Sequence, residues 1–439
     1  GPAVTTTDNN SYSHNYGVES YLARINYGFK SRYYIDASWR TDGSSRFHPS
    51  DRWGHFWSVG ASWRISEEQF MENTRQWLDN LTLKVSYGVQ GNDNLGTYYA
   101  WQGLYDYTWP NATDAGAFVD KLENRKVTWE KNGNLNAGIE ATMFGGRLGV
   151  SVEYYNRKTR DMLLNSPLPI STGFTGFNDN VGSLRNQGLE VSLRGTILDK
   201  RDFRWDATLM GSFNRNKVLS LTGGQDVITS GIRVIEVGRP IYTFYLPKTA
   251  GVDPATGKQL YYAYWTQTVN DEGTLVNTRC DEYITDNVAM ATLSKYYHES
   301  REPKLFGSIG STFTILKNID VSFLTTYSIG GWVYDGLYNG SMYVQYAGNN
   351  WHKNAKRRWQ KPGDKTDVPM LEVGGSYATT SNSLIDASYF AIKNITVGYT
   401  LPKRWLKKID IESLRIYATL DNIAMFNHMD GMDPQYNFT

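Results

Sequence analysis

The sequence predicts an all-β fold, and within that class a transmembrane antiparallel β-barrel. Three observations carry this reading. Apolar and polar residues alternate with a period of two in about a dozen segments, the mark of strands with one greasy and one wet face. Tight turns and long loops alternate between these segments, as in barrels with short periplasmic turns and long extracellular loops. Aromatic residues make up 14%, with 31 Tyr, 14 Trp, 41 Gly and only 13 Pro in 439 residues, which suits extended strands joined by turns.

In chain order, the first strands are expected at 17–29, with Tyr21, Ala23, Ile25 and Tyr27 on one face, at 32–40, and at 55–65, with Trp57, Val59, Ala61 and Trp63. The clearest is 80–89, where Leu81, Leu83, Val85, Tyr87 and Val89 alternate with Thr82, Lys84, Ser86 and Gly88. Next come 133–144, 147–157, 186–198 and 203–215, the second carrying Leu148, Val150, Val152 and Tyr154 and the third Leu189, Val191 and Leu193. The last four are 305–316, 319–330 with Ile319, Val321 and Phe323, 388–401, and 412–421 with Leu414, Ile416, Ala418 and Leu420. Each is near the roughly 9 to 11 residues that a tilted strand needs to cross a bilayer. Because alternate residues face opposite sides, Leu83, Val85, Val150, Val152, Val191 and Val321 should face lipid, and Lys84, Glu153, Glu190 and Arg194 the lumen.

Tight turns fall at Ser31, Gly145-Gly146, Asp199 to Asp202 and Lys317-Asn318, and long loops at 41–54, 90–132, 158–185, 216–304 and 331–387. Two further links, 66–79, a short amphipathic helix with Phe70, Trp77 and Leu78, and Leu401 to Glu412, basic and opened by a proline, fall on the periplasmic side by parity. A soluble sandwich alternates too, but structureless loops of such length are uncommon in soluble domains. Fixed-period repeats are absent, which argues against a propeller or solenoid.

No run approaches the roughly 18 apolar residues of a spanning helix, and mean hydropathy is -0.50, which a barrel tolerates because its lumen-facing residues are polar. With 45 Lys+Arg against 44 Asp+Glu, the net charge of +1 offers no general attraction to nucleic acid. The single cysteine, Cys280, excludes an internal disulfide framework. Gly1 to Asn10 has no signal-peptide pattern.

Several stretches resemble the SusC-like (SusC/RagA-type) branch of TonB-dependent transporters. They begin with Asp42-Gly43-Ser44-Ser45-Arg46-Phe47 and Gly60-Ala61-Ser62-Trp63-Arg64-Ile65-Ser66-Glu67-Glu68-Gln69-Phe70. Then come Lys84-Val85-Ser86-Tyr87-Gly88 through Gly91-Asn92, Thr128-Trp129-Glu130-Lys131, and Asn180-Val181-Gly182 with Asn186-Gln187-Gly188-Leu189-Glu190. Arg358-Trp359 with Pro362-Gly363-Asp364, Ser388-Tyr389-Phe390 through Gly398-Tyr399-Thr400-Leu401-Pro402, and Asn422-Ile423 before Gly431-Met432-Asp433-Pro434 complete the series, in order over nearly the whole chain.

The resemblance implies active import of oligosaccharides or peptides across the outer membrane of a Gram-negative, Bacteroidetes-like bacterium. It further implies a barrel of about 22 strands in outer-membrane lipid, an N-terminal plug through which TonB acts, and a SusD-like lipoprotein lid. Residues 1–439 are then a partial barrel, about strands 10 to 21, with signal peptide, TonB box, plug, early strands and last strand outside it. The edges Tyr21 to Phe29 and Leu414 to Leu420 should pair with other strands and not with each other, since unsatisfied backbone groups in hydrocarbon cost several kcal/mol each. The rivals are a passive porin and a soluble β-rich glycan-binding protein.

No enzyme chemistry, cofactor or metal is expected. Glu67-Glu68 and Asp271-Glu272 read as solvated turns and not a catalytic pair. The six histidines lack ligand spacing, and Asp253-Pro254-Ala255-Thr256-Gly257 reads as a β-turn, with too few oxygen ligands for calcium. Trp101, Tyr105 and Trp109 in the 90–132 loop are candidate substrate platforms, flat rings that could instead pack the loop. Trp351, Lys353, Arg357 and Arg358 form a basic, aromatic-flanked surface for the lid or for lipid, preferred over nucleic acid.

Overall fold

The computed structural model describes residues 13–107, 116–221, 226–342, 350–371, 377–407, 410–429 and 433–436. Twelve antiparallel strands form one sheet in which each pairs with its neighbour in sequence. They are β1 (Val18–Phe29), β2 (Tyr33–Ser44), β3 (Trp53–Arg64), β4 (Leu78–Asn92), β5 (Glu130–Met143) and β6 (Leu148–Arg160). There follow β7 (Ser183–Lys200), β8 (Phe203–Ser220), β9 (Leu305–Ile315), β10 (Ile319–Ile329), β11 (Tyr389–Thr400) and β12 (Arg415–Asn427). All twelve expected strands are present, several longer than the alternation alone suggested. β7 and β8 reach 18 residues each and rise past the apolar stretch into the loop region.

The register is that of a barrel wall. Tyr27, Ile35, Ala61, Val85, Ala137, Tyr154, Leu189, Phe213, Leu305 and Ile329 stand directly opposite one another across β1 to β10. One residue on, Gly28, Tyr34, Ser62, Lys84, Gly138, Glu153, Glu190, Ser212, Phe306 and Ser328 make the row on the opposite face. The apolar side chains of the first face are open to the surroundings, with Val85 43%, Ile139 49% and Leu209 43% exposed. In water such a surface would be costly; in hydrocarbon it is the required one.

Strict sequential pairing places alternate links on opposite rims. The short links after β1, β5, β7 and β9 share one rim, and all five long loops share the other. The turns after β1 and β9, three-residue links between the paired residues Phe29 and Tyr33 and Ile315 and Ile319, place Lys30 and Ser31, and Leu316 and Lys317, at positive φ. Two expectations about links need correction. The 66–79 link is not an amphipathic helix but two 3-10 segments, Ile65–Glu67 and Gln69–Thr74, and Leu78 already belongs to β4. The aromatic residues of this link are open, Phe70 67% and Trp77 44% exposed.

Nor is the 216–304 loop structureless. It folds into a four-stranded sheet (Val227–Ser230, Arg233–Glu236, Thr243–Pro247, Lys295–Ser300), a three-stranded sheet (Thr249–Val252, Gln259–Val269, Leu275–Thr285) and a helix, Val288–Leu293, capped by Asn287.

Candidate functional site

The wet face of the sheet is a mostly polar wall, interrupted by Met210, Phe306 and Leu324. Charges on it neutralise one another across strands: Arg24 with Asp36 at 2.8 Å, Lys84 with Glu140 at 2.6 Å, and Arg415 with Asp320 at 2.5 Å. A groove of about 570 Å³ runs over β1 to β6, with Asn26, Asp36, Lys84, Glu140 and Glu153 in its lining. These exposed pairs each contribute about 0 to 1 kcal/mol; their consequence is a wall that is hydrated but carries little net charge.

Above this wall, the family-like motifs form the roots of the loops. Arg46 lies 3.3 Å from Asp93 and stacks on Tyr16 and Tyr98 at 4.6 and 5.0 Å, while Ser44 Oγ and Tyr16 Oη both donate to Asp93. The first long loop is thereby tied to the second. Nearby, Trp129 donates from Nε1 to the Arg52 carbonyl at 2.7 Å and packs on Phe47 and Phe56. Thr128 and Asn180 exchange two hydrogen bonds of 2.9 Å, joining the second long loop to the third. Phe47, Phe56, Ala100, Val127 and Trp129 make a buried apolar cluster at the loop rim, to which β3 contributes Phe56 and the loops the rest.

On the opposite rim, Glu68 accepts from Tyr33 Oη at 2.5 Å, Trp63 Nε1 at 3.1 Å and Arg32 at 3.2 Å. Foremost the Tyr33 hydrogen bond, then that of Trp63, holds its carboxyl below the usual range. Glu68 is thus a clamp between the first turn and the end of β3, not a solvated turn residue. Only its partners on two other segments, Arg32 with Tyr33 and Trp63, reveal this.

Where the 238–240 segment and residues 297–304 meet β8, a cleft of about 880 Å³ opens, with Arg185, Arg215, Lys217, Arg239, Glu302 and Lys304 in its lining. Burial pushes the Glu302 carboxyl up to about 7 and the His298 imidazole down.

Of the residues singled out in the sequence, Trp101 packs against the buried loop cluster and meets His48 edge-on at 5.1 Å. Tyr105, on the short strand Leu104–Asp106, is 59% exposed. Trp109 lies outside the described residues. On another loop, Trp351 carries the Arg358 guanidinium 4.1 Å above its ring and packs on Met342, Ala355 and Val368. Arg357 reaches Asp367 at 3.3 Å, and Lys353, exposed, opens the 3-10 segment Lys353–Arg357. Asp253 accepts from Ala255 N and Thr256 Oγ1 within its own turn, as a β-turn requires. Among the described residues no group of three or more His, Cys, Asp or Glu is placed to hold a metal ion.

Residues 1–423 match the family described as TonB dependent receptor-like, beta-barrel. The TonB-dependent receptor SusC of Bacteroides thetaiotaomicron is 29% identical over 432 residues, covering 95% of this chain and 41% of that protein. TonB-dependent receptor P39 of Formosa agariphila is 29% identical over 467 residues, covering 98% of this chain and 44% of that protein. Among solved structures, the RagAB peptide transporter superposes with a TM-score of 0.81 at 30% identity, over 96% of this chain and 45% of that one. The chain therefore spans less than half the length of these relatives.

Proposed function

Because this chain belongs to the TonB-dependent receptor-like β-barrel family, similar to SusC and to the RagAB transporter chain, we propose that it is the C-terminal part of the barrel of an outer-membrane importer. The cargo is an oligosaccharide or a peptide, the power comes through TonB acting on a plug outside these residues, and a SusD-like lipoprotein closes the loop side. The observation that carries the reading is the polar wall running across the sheet beneath a rim of folded loops, which is a conduit with a built entrance. No step of it requires bond chemistry by this chain. The RagAB structure, similar to this chain over 96% of its length, is described as a peptide transporter, which favours peptide over glycan.

Tyr105, exposed, is an aromatic that could stack on cargo, and Lys353, also exposed, a cation that could meet a lid or lipid. The sheet closes by pairing β1 and β12 with strands outside these residues. The test is uptake by cells carrying the full-length protein, with labelled peptides and labelled oligosaccharides offered separately, with and without TonB. Uptake of one class that vanishes without TonB supports the proposal. Uptake of small solutes of every kind that persists without TonB means a passive pore instead.

A further inference from the structure

Six cations stand together on the apolar-parity face of the sheet, just beyond its last apolar row. On β6, Lys158 and Arg160 continue the face of Val150, Val152 and Tyr154; on β7, Arg185 continues that of Leu189 and Val191. On β8, Arg215 and Lys217 continue the face of Leu209 and Phe213, and on β5 Lys131 continues that of Leu135 and Ile139. Arg185 is directly opposite Lys158 on one side and Lys217 on the other, and Lys131 is directly opposite Arg160.

Like charges opposed across neighbouring strands are destabilising, and strands are only about 4.8 Å apart. Yet among the described residues none of the six takes part in an ion pair. The remaining partners in their rows on β5 to β8 are Leu135, Asn156, Gln187, Gly133, Ser183 and Ser220, with no carboxylate among them. The Arg185 Nε is buried without a hydrogen-bond acceptor. Three of the six border the cleft beside β8, whose carboxylates, Glu299 and Glu302, are ion-paired with none of them. Such an arrangement asks for an anion from outside the chain.

Height along the strand says which anion. Arg185 lies four residues beyond Leu189, and Lys158 and Lys217 lie four beyond Tyr154 and Phe213. At about 3.3 Å per residue, this carries them about 13 Å along the strand, which at a tilt of roughly 35 to 45° is about 10 Å of height above the last apolar row. That is out of the hydrocarbon and into the headgroup layer.

We propose that the outer face of β5 to β8 above the apolar rows binds the phosphate groups of the outer-leaflet glycolipid, with Lys158, Arg185 and Lys217 as the central contact. The proposal rests on the reading of the chain as an outer-membrane barrel. A planar guanidinium flanked by two ammonium groups suits phosphate oxygens, Arg offering two parallel donors and Lys a point charge. Bound phosphate would relieve the repulsion along the row and supply the acceptor that Arg185 Nε lacks.

The test uses the full-length protein purified in detergent and stripped of lipid. Lipopolysaccharide is titrated against it, alongside the same lipopolysaccharide after enzymatic dephosphorylation, and inorganic phosphate. Binding of intact lipopolysaccharide is expected to weaken on the order of tenfold in a K158Q/R185Q/K217Q variant, as expected of basic groups near an anionic surface, while K200Q on the opposite rim leaves it unchanged. Dephosphorylated lipid should bind wild type no better than intact lipid binds the triple variant. Should the triple variant not assemble, K131Q/R160Q on the row above is expected to weaken binding as well, to a smaller degree.

Equal binding of intact and dephosphorylated lipid, or no loss in either variant, would overturn the proposal. So would inorganic phosphate competing at the same concentration as lipopolysaccharide, which would make the patch a free-anion site. A full-length protein that fractionates away from the outer membrane would instead remove the barrel reading on which the proposal stands.

Discussion

Gly188 sits where a side chain cannot. A Cβ there would come 2.1 Å from the Phe213 carbonyl and 2.5 Å from Tyr155 Oη, and the backbone cannot yield without breaking the β7–β8 ladder. Gly188→Ala is expected to cost about 1 to 3 kcal/mol, read as a lower melting temperature of the purified full-length protein. Gly149→Ala, whose nearest neighbour would be an ordinary 3.8 Å away, should melt like wild type. Glu302 makes a pH-dependent prediction. Burial raises its folded pKa from 4.5 to about 7, so as pH climbs through that window the unfolded loop ionises first and the folded form loses stability. Residues 295–304 should become more readily cleaved by protease between pH 5 and 7.5 than the intrinsic activity of the protease explains, and Glu302→Gln should remove that excess. An equal excess in the variant would show that another group is responsible.

At the scale of the strand, side chains were legible in the sequence because a period of two has only one solution once one face must be apolar. Val150 shows the consequence: it faces Ala141 and Leu193 in the same row, so Val150→Arg is expected to cost about 2 to 4 kcal/mol near the bilayer midplane, measured by urea-titrated folding of the full-length protein into vesicles. A change near zero would place Val150 at an interface or inside. Topology is open to labelling. In a Cys280→Ser background, Asp271→Cys in a long loop should react with a membrane-impermeant maleimide on intact cells, and Arg201→Cys in the turn between β7 and β8 only after permeabilisation. Reversed reactivity would invert the rims. What the alternation did not reveal was how the links fold. The 216–304 loop carries two small sheets in which Tyr261, Phe244 and Leu246, each about 1% exposed, are paired by strands apart in sequence, Phe244 opposite Arg233, Leu246 opposite Tyr296 and Tyr261 opposite Thr249 and Thr285. Glu68 and the Arg46–Asp93 pair were hidden for the same reason: a lone carboxylate in a sequence does not announce partners on other segments.

For the whole molecule, apolar surface and buried core have exchanged places. The sheet exposes its aliphatic rows, and the closely packed cluster of Phe47, Phe56, Val127 and Trp129 holds the loops together at one rim. The placement of the candidate platform aromatics was the least legible part. Trp101 turned out to pack on that cluster while Tyr105 stands open, a difference set by loop folding and not by residue type. On the proposed function, β1 and β12 are interior strands of a larger barrel. They lie at the two ends of the strand order with no pairing between them, and an open edge in hydrocarbon leaves backbone groups unsatisfied at several kcal/mol each. The most direct measurement is a cryo-electron microscopy map of the full-length protein in lipid. The free edge of Val18–Phe29 is expected to hydrogen-bond to a strand outside these residues and Arg415–Asn427 to do likewise, around a filled lumen. A map in which Val18–Phe29 and Arg415–Asn427 hydrogen-bond to each other, closing twelve strands into a small barrel, would contradict it.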